Sequence, residues 1–156
     1  MNKILIFDLD DTIIMHNNRV TEYGNIKENH FLTYHLNLCE GEKYIYTNGT
    51  FSHANTVLNN MNLINHFKKI YSRDTVNKMK PDKESAIAIQ DDIISIEQSS
   101  DNEYIFFDDQ LINLESAKKI GWKTIWIHPQ HSHSNQYPYV DKGYSNLISA
   151  LRSNII

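Results

Sequence analysis

The sequence predicts an α/β protein, organised as a three-layer α/β/α sandwich around a mainly parallel sheet of about five strands. Short apolar segments that read as buried strands alternate with segments whose apolar residues have helical spacing. The apolar segments also end in polar, often acidic, residues, which is typical of strands that deliver side chains to a site at their carboxyl ends. At 156 residues, the chain is predicted to form a single domain, 1–156.

Five continuous apolar segments are the predicted strands. They lie at residues 4–7, 44–46, 67–71, 104–107 and 123–127. The first consists of four apolar residues without alternation, which is typical of a strand that is buried on both faces. We therefore place this strand at the centre of the sheet, with Asp8 at its carboxyl end.

Five segments with helical spacing alternate with the strands. They lie at residues 25–39, 52–61, 81–95, 111–120 and 144–151. Ser52 is a candidate N-cap for the second helix, Pro81 lies near the first turn of the third, and Gly121 ends the fourth. Residues 128–143 contain three histidines and two prolines without periodicity, and they are predicted to form an exposed loop.

Composition argues against several classes of function. The formal net charge is −4 and no basic stripe is present, so a nucleic-acid partner is not expected. Cys39 is the single cysteine, which excludes an internal disulfide and suits a reducing compartment. No apolar run is long enough to cross a membrane, and the first residues lack a signal-type pattern. A cytoplasmic location without a membrane partner is expected, and the sequence indicates no oligomeric state.

The first predicted strand runs directly into an acidic cluster that contains Asp8 and Asp10. Side chains two apart in an extended chain point the same way, so both carboxylates are expected to face a common point. Adjacent carboxylates repel each other, and folding alone gives no reason to place them there. A bound cation, or one ionised and one protonated acid with separate roles, would make the arrangement useful.

Three further segments at the same predicted edge carry polar groups. Thr47 and Asn48 follow the second strand, Lys80 lies before the third helix, and Asp108 and Asp109 follow the fourth strand. Each alone has an ordinary explanation, because such residues commonly form turns, caps or solvated surface. Together they supply groups that bind phosphate and metal, and their meeting at one sheet edge favours a catalytic site.

The order of these motifs resembles that of the haloacid dehalogenase (HAD) superfamily of aspartate-nucleophile phosphatases. The superfamily pattern is a strand into Asp-x-Asp-x-Thr, a strand into Thr or Ser, a Lys often followed by Pro, and a strand into paired Asp. The matching segments are Asp8-Leu9-Asp10-Asp11-Thr12, Thr47, Lys80-Pro81 and Asp108-Asp109, with Asn113 and Gly121 beyond. The likeness runs from Ile4 to Ile127 and implies a Rossmann-like (HAD-like) sheet. Within the superfamily, the core looks most like the pyrimidine 5′-nucleotidase branch.

The resemblance implies hydrolysis of phosphate monoesters, with a nucleotide or other small phosphorylated molecule as substrate. Asp8 is implied to attack phosphorus and form an aspartyl-phosphate. Asp10 is implied to protonate the leaving group and then to activate water. Thr47 and the Asn48 backbone are implied to hold phosphoryl oxygens, while Lys80 neutralises the charge of Asp8 and the phosphate. A carboxylate nucleophile divides such a hydrolysis into two easier steps.

The resemblance also implies a Mg²⁺ cofactor. Its expected ligands are Asp8, the Asp10 carbonyl and Asp108, with Asp109 helping directly or through water. This agrees with the preference of Mg²⁺ for oxygen ligands and with its ability to offset charge on a transferring phosphoryl group.

Residues 13–43 form a short segment where larger relatives insert a helical cap. We predict a flap and one short helix here in place of a full cap. The site is therefore expected to be open and weakly selective, because caps supply much of the specificity and water exclusion. His16, Arg19 and Tyr23 are the candidates in this segment for contacts to the leaving group, with a solvated flap as the alternative.

Several alternatives remain beside this hypothesis. An open site would also admit phosphoproteins or polynucleotide ends. A signalling receiver domain uses similar residues but places its acidic pair first, whereas the pair comes last here. The intact motifs argue against a non-catalytic binding module. His128, His131 and His133 are candidate metal ligands, although solvated surface is the favoured interpretation for this loop.

Overall fold

Six parallel strands form one sheet in the computed structural model, within the part of the chain that it describes, residues 1–16 and 23–153. The strands are β1 (Asn2–Phe7), β2 (Glu42–Tyr46), β3 (Ile70–Tyr71), β4 (Asn102–Asp108), β5 (Lys123–Ile127) and β6 (Lys142–Tyr144). Their spatial order is β3-β2-β1-β4-β5-β6. The α/β class, the parallel sheet and the central position of β1 are confirmed, whereas the sheet has six strands and not five.

Helices cover both faces of the sheet and complete the three layers. They are α1 (His30–Leu38), α2 (Phe51–Asn60), α3 (Lys83–Glu97), α4 (Leu111–Lys119) and α5 (Leu147–Arg152), with 3-10 turns at Tyr23–Asn25, Ile64–His66 and His131–Gln136. Leu5 of β1 belongs to the apolar cluster beneath α1, α2 and α5, while Ile6 belongs to the opposite cluster beneath α3 and α4. Because successive strand side chains face opposite ways, two covered faces require the unbroken apolar sequence of β1.

Side-chain caps fix where four of these helices begin. The capping residues are Asn29 for α1, Thr50 for α2, Asp82 for α3 and Asn146 for α5. The predicted Ser52 cap is wrong, because the Thr50 hydroxyl accepts the His53 N–H at 3.2 Å and α2 begins at Phe51. Pro81 lies directly before the Asp82 cap, near the first turn of α3 as predicted.

The region predicted as an exposed loop, residues 128–143, contains the 3-10 turn His131–Gln136 and most of β6. The loop prediction is wrong for β6. This strand could not be recognised because it is short and lacks an apolar run. Residue 143 of this strand approaches the backbone of the 3-10 turn so closely that only glycine fits. A Cβ there would lie only 2.8 Å from the His131 carbonyl oxygen. Tyr144 ends this strand and does not begin the last helix, which starts after the Asn146 cap.

The segment 13–43 contributes α1 to the body of the sandwich. Leu32 and Leu36 of this helix are buried in the cluster shared with α5. The observed α1 is shorter than the predicted helix 25–39, and β3 is shorter than the predicted strand 67–71 because a 3-10 turn ends just before Phe67. Among the described residues, no helix has the length and apolar character needed to cross a membrane.

Candidate active site

The carboxyl ends of β1, β2 and β4 bring polar side chains to one edge of the sheet. Asp8 follows β1, Thr47 follows β2, and Asp108 is the last residue of β4. Their exposed fractions are only 7%, 2% and 0%. Buried polar groups are costly unless they are paired, so each of them must be satisfied by a neighbour.

Lys80 joins two of these carboxylates. Its Nζ donates to Asp8 Oδ1 at 2.9 Å and to Asp108 Oδ2 at 2.8 Å. The ammonium group also lies over the rings of Tyr46, at 5.2 Å, and Phe106, at 5.6 Å. Burial favours the neutral amine, but the two carboxylates outweigh it and raise the pKa of Lys80, which keeps the side chain cationic.

One lysine does not fully compensate two buried carboxylates. Desolvation raises the pKa of Asp8 to about 6, against the lowering effect of Lys80. Desolvation likewise raises the pKa of Asp108 to about 6, with Lys80 opposing it and Asp8 adding to it. The site therefore has an excess of buried negative charge that a further cation would offset.

Three carboxylates form a group that fits such a cation. Asp8, Asp108 and Asp109 each offer an oxygen, and these atoms lie within 4.8 Å of one another. Burial raises the pKa of Asp109 as well. An all-oxygen donor set beside an uncompensated negative charge matches the preference of Mg²⁺. The Asp10 carboxylate is not part of this group and lies with two histidines, so its backbone carbonyl is the atom left for the expected metal contact.

Thr12 and Asn113 support the two buried acids. The Thr12 hydroxyl donates to Asp8 Oδ2 at 3.2 Å, and Asn113 Nδ2 donates to Asp108 Oδ2 at 3.1 Å. The Gln110 N–H donates to the other Asp108 oxygen at 2.8 Å. Both supporting residues were present in the motif pattern, but the sequence alone gave neither a role. The contacts show that they orient the carboxylates.

Asn48 fixes the loop that carries Lys80. Its side-chain oxygen accepts the Lys80 N–H at 2.9 Å, and its amide nitrogen donates to the Lys80 carbonyl at 3.1 Å. The side chain is therefore already engaged, which leaves the backbone N–H for the predicted phosphate contact. The Thr47 hydroxyl accepts the Gly49 N–H at 3.0 Å. A Cβ on Gly49 would lie 3.3 Å from Thr47 Oγ1 and 3.5 Å from Asp10 Oδ2, so glycine keeps the space between them open.

Two histidines converge on the side chain of Asp10. His16 Nε2 lies 2.5 Å and His53 Nε2 2.8 Å from the same oxygen, Asp10 Oδ1. Tyr23 contacts the far side of His53, with its hydroxyl 2.7 Å from Nδ1. His53 could not be predicted from sequence, because it lies in the first turn of α2 and no spacing relates it to Asp10. His16 and Tyr23 are thus brought to the site, while the third candidate, Arg19, lies outside the described residues.

The histidines of residues 128–133 lie elsewhere. His128 stacks on Trp126 with a ring separation of 4.8 Å. Among residues 1–16 and 23–153, no group of potential metal ligands includes His128, His131 or His133. His133 is exposed, whereas His128 and His131 are partly buried, so the prediction of a solvated surface holds for His133 alone.

The parallel sandwich and its acid-lined edge define an α/β protein with a Rossmann-like sheet and an acidic site at the carboxyl ends of its strands. Residues 15–127, well over half of the chain, match the family model described as haloacid dehalogenase-like hydrolase. The chain belongs to this family. The matched range includes Thr47, Lys80 and the acidic pair, and the Asp8 motif lies immediately before it.

Solved structures share the fold. An L-2-haloacid dehalogenase from Xanthobacter autotrophicus is 14% identical with a TM-score of 0.61 over 83% of this chain. The chain spans 62% of the length of that dehalogenase. A magnesium-bound structure of the HAD-hydrolase YfnB from Bacillus subtilis is 14% identical, with a TM-score of 0.66 over 96% of both chains. At these identities the likeness shows the fold alone. No curated protein sequence matches the chain.

Proposed function

We propose that the protein is a Mg²⁺-dependent phosphohydrolase that cleaves phosphate monoesters through an aspartyl-phosphate on Asp8. The observation that carries this proposal is the meeting, at one sheet edge, of a nucleophile, a cation and a separate acid. The nucleophile is Asp8, which Lys80 and Thr12 hold at both oxygens. The separate acid is Asp10, two residues further on, which lies in its own hydrogen-bonded environment.

In the first step, an Asp8 oxygen forms a bond to phosphorus as the bond to the leaving oxygen breaks. Asp10 gives its proton to that leaving oxygen, so the product departs as an alcohol. In the second step, Asp10 takes a proton from water, whose oxygen attacks phosphorus and breaks the bond to Asp8. Inorganic phosphate is released and both acids return to their starting states.

The remaining residues bind the charge of the phosphoryl group. The Thr47 hydroxyl and the Asn48 backbone N–H hold its oxygens, and Lys80 adds a positive charge beside the nucleophile. Asp8, Asp108, Asp109 and the Asp10 carbonyl would hold Mg²⁺. When bound, the ion supplies positive charge that stabilises the transferring phosphoryl group.

The chemistry of the leaving group favours phosphate esters over halogenated acids, although dehalogenases share this fold. A halide is a weak base that leaves without a proton, so its displacement has no use for a second acid. An alkoxide needs a proton, and we assign its supply to the carboxylate of Asp10, two residues after the nucleophile. The carboxylate group suited to Mg²⁺ adds support, because Mg²⁺ offsets phosphoryl charge.

The substrate that we propose is a nucleotide or another small phosphate ester, with phosphoprotein and polynucleotide ends as the alternative. The segment 13–43 acts in place of a full cap, and the packing of α1 into the sandwich supports this view. Few contacts to the leaving group are then available, so discrimination between substrates is expected to be shallow.

A substrate panel with Mg²⁺ tests this proposal. The panel contains nucleoside monophosphates, aryl phosphates, phosphopeptides, 5′-phosphorylated oligonucleotides and 2-haloacids. We expect turnover of several small phosphates, with kcat lowered by about 10³-fold or more in Asp8→Asn. Asp101→Asn, at the opposite end of the sheet, is the control. Turnover confined to peptides or oligonucleotides would favour the alternative, and halide release without phosphate release would refute the proposal.

A further inference from the structure

A second group of potential metal ligands lies beside the proposed catalytic centre. It consists of Asp10, His16 and His53, whose ligand atoms lie within 4.8 Å of one another. The side chains of Asp10, His16 and His53 are exposed by 33%, 18% and 20%, so an ion can reach them from solvent. None of the three belongs to the carboxylate group formed by Asp8, Asp108 and Asp109.

The two groups differ in the metal that they suit. One carboxylate oxygen and two imidazole nitrogens form a mixed set that suits Zn²⁺ and neighbouring transition metals. The all-oxygen group at Asp8 suits Mg²⁺, which binds nitrogen poorly in comparison. The protein therefore presents two adjacent sites of different selectivity.

The local geometry needs little change to hold such an ion. Ligand atoms of tetrahedral Zn²⁺ lie roughly 3.3 Å apart, given bonds of about 2.0–2.1 Å. The two histidine nitrogens are now 2.5 and 2.8 Å from Asp10 Oδ1, so shifts below about 1 Å would open the space. A water molecule would complete a set of three protein ligands, as in open zinc sites.

Neighbouring groups already orient these ligands. The Tyr23 hydroxyl lies 2.7 Å from His53 Nδ1, so the ring presents its other nitrogen, Nε2, towards Asp10. The His16 N–H donates to Asp11 Oδ1 at 3.1 Å, which fixes the backbone that carries the second ring. Partners of this kind set the ring orientation of metal-binding histidines and strengthen binding.

We propose that Asp10, His16 and His53 bind a divalent transition-metal ion such as Zn²⁺ and that this ion inhibits the enzyme. The bound ion would coordinate the Asp10 carboxylate, which carries the proton to and from the reacting oxygens in the proposed mechanism. The binding site stands independently of the reaction, whereas the inhibition rests on the proposed function. Mg²⁺ at the oxygen site and Zn²⁺ at this site are expected to bind together.

Binding is tested by calorimetric titration of Zn²⁺ into protein that has been stripped of metal and then saturated with Mg²⁺, and again without Mg²⁺. The Co²⁺ absorption spectrum reports nitrogen ligation. We expect one site in the wild type, and a loss of affinity of about tenfold or more in both His16→Gln and His53→Gln. His133→Gln, an exposed histidine outside the group, and Asp108→Asn, in the oxygen site, should retain it. Unchanged affinity in both histidine variants, in proteins whose thermal midpoints show them folded, would overturn the proposal. Loss of the signal when Mg²⁺ is added would overturn it as well.

Inhibition is tested by measuring phosphate-ester turnover against Zn²⁺ concentration at saturating Mg²⁺, with each variant compared with its own zinc-free rate. We expect the half-inhibiting concentration to rise by about tenfold or more in His16→Gln and not in His133→Gln. Equal sensitivity of the two variants would refute the inhibitory role. If no phosphate ester is hydrolysed without Zn²⁺, the proposed function fails, while the calorimetric result still decides the metal site.

Discussion

Asp8 and Asp108 share a single buried cation, the ammonium group of Lys80. Without a bound cation, this arrangement carries an electrostatic strain: desolvation disfavours both ionised carboxylates more than one lysine favours them. The strain has a use at a catalytic site, since binding of a cation relieves it. At the residue scale, function and stability therefore oppose each other at these positions.

Because burial disfavours the ionised Asp8 carboxylate, we expect Asp8→Asn to stabilise the metal-free protein in a pH-dependent way. The pKa of Asp8 is raised from 3.8 to about 6 on folding, so its contribution to stability is fully present below 3.8 and is lost as the pH rises through 6. The amide does not ionise. The free energy of unfolding of the variant, relative to wild type, should increase between about pH 4 and 6, by at most about 3 kcal/mol.

The free energies of unfolding of wild type and Asp8→Asn are measured by denaturant titration in the presence of a chelator across this pH range. Asp101→Asn serves as the control, because Asp101 pairs with the amino terminus on the surface and should show little change. A difference between Asp8→Asn and wild type that is flat, or that falls as the pH rises, would show that Asp8 is not destabilised by burial.

Strand ends and the loops that follow them are the elements that assemble the site. β1, β2 and β4 are neighbours in the sheet, so their carboxyl ends meet without any long-range adjustment. Lys80 lies on the loop between β3 and α3 and not at a strand end, and the side chain of Asn48 holds its backbone at both the N–H and the carbonyl. The position of the lysine thus depends on an element-to-element contact and not on the strand order.

We expect Asn48→Ala to release the Lys80 loop. Two backbone hydrogen bonds are lost from a partly exposed position, so the free energy of unfolding should fall by about 1 kcal/mol. The fall in kcat should be the larger effect, because the ammonium group then no longer has a fixed place beside the nucleophile. Asn77→Ala, an exposed residue in the same loop, is the matched control. Equal kcat in Asn48→Ala and the control would contradict this role.

The elements that could be predicted from sequence are those with a strong local signal. An unbroken apolar run ending in acids identified β1 and Asp8, and the same signal identified β4 and Asp108. β6 could not be predicted, because its three residues pair with β5 only through tertiary context. His53 was missed for a related reason: its contact with Asp10 depends on how α2 packs beside β1 and leaves no periodic trace.

At the scale of the whole molecule, a buried core lies beside an acidic sheet edge that a bound cation is expected to stabilise. A ligand that binds only the folded state raises stability by RT ln(1 + [L]/Kd), about 2.7 kcal/mol at a hundredfold excess over Kd. We expect Mg²⁺ to raise the thermal midpoint of the wild type in this way. Asp108→Ala and the milder Asp109→Asn should flatten the dependence, while Asp101→Asn should not. A titration of Asp108→Ala identical to that of wild type would place the cation elsewhere.

The central claim is that Asp8 carries the phosphoryl group during turnover, and trapping that intermediate tests it most directly. Asp10→Asn should accumulate the intermediate, since the second step lacks its base. The protein is mixed with Mg²⁺ and an aryl phosphate, quenched in acid, digested and mapped by mass spectrometry. We predict a phosphoryl group on the peptide that contains Asp8, and none in the Asp8→Asn, Asp10→Asn double variant. A phosphoryl group on another residue, or steady turnover by Asp8→Asn, would contradict the account.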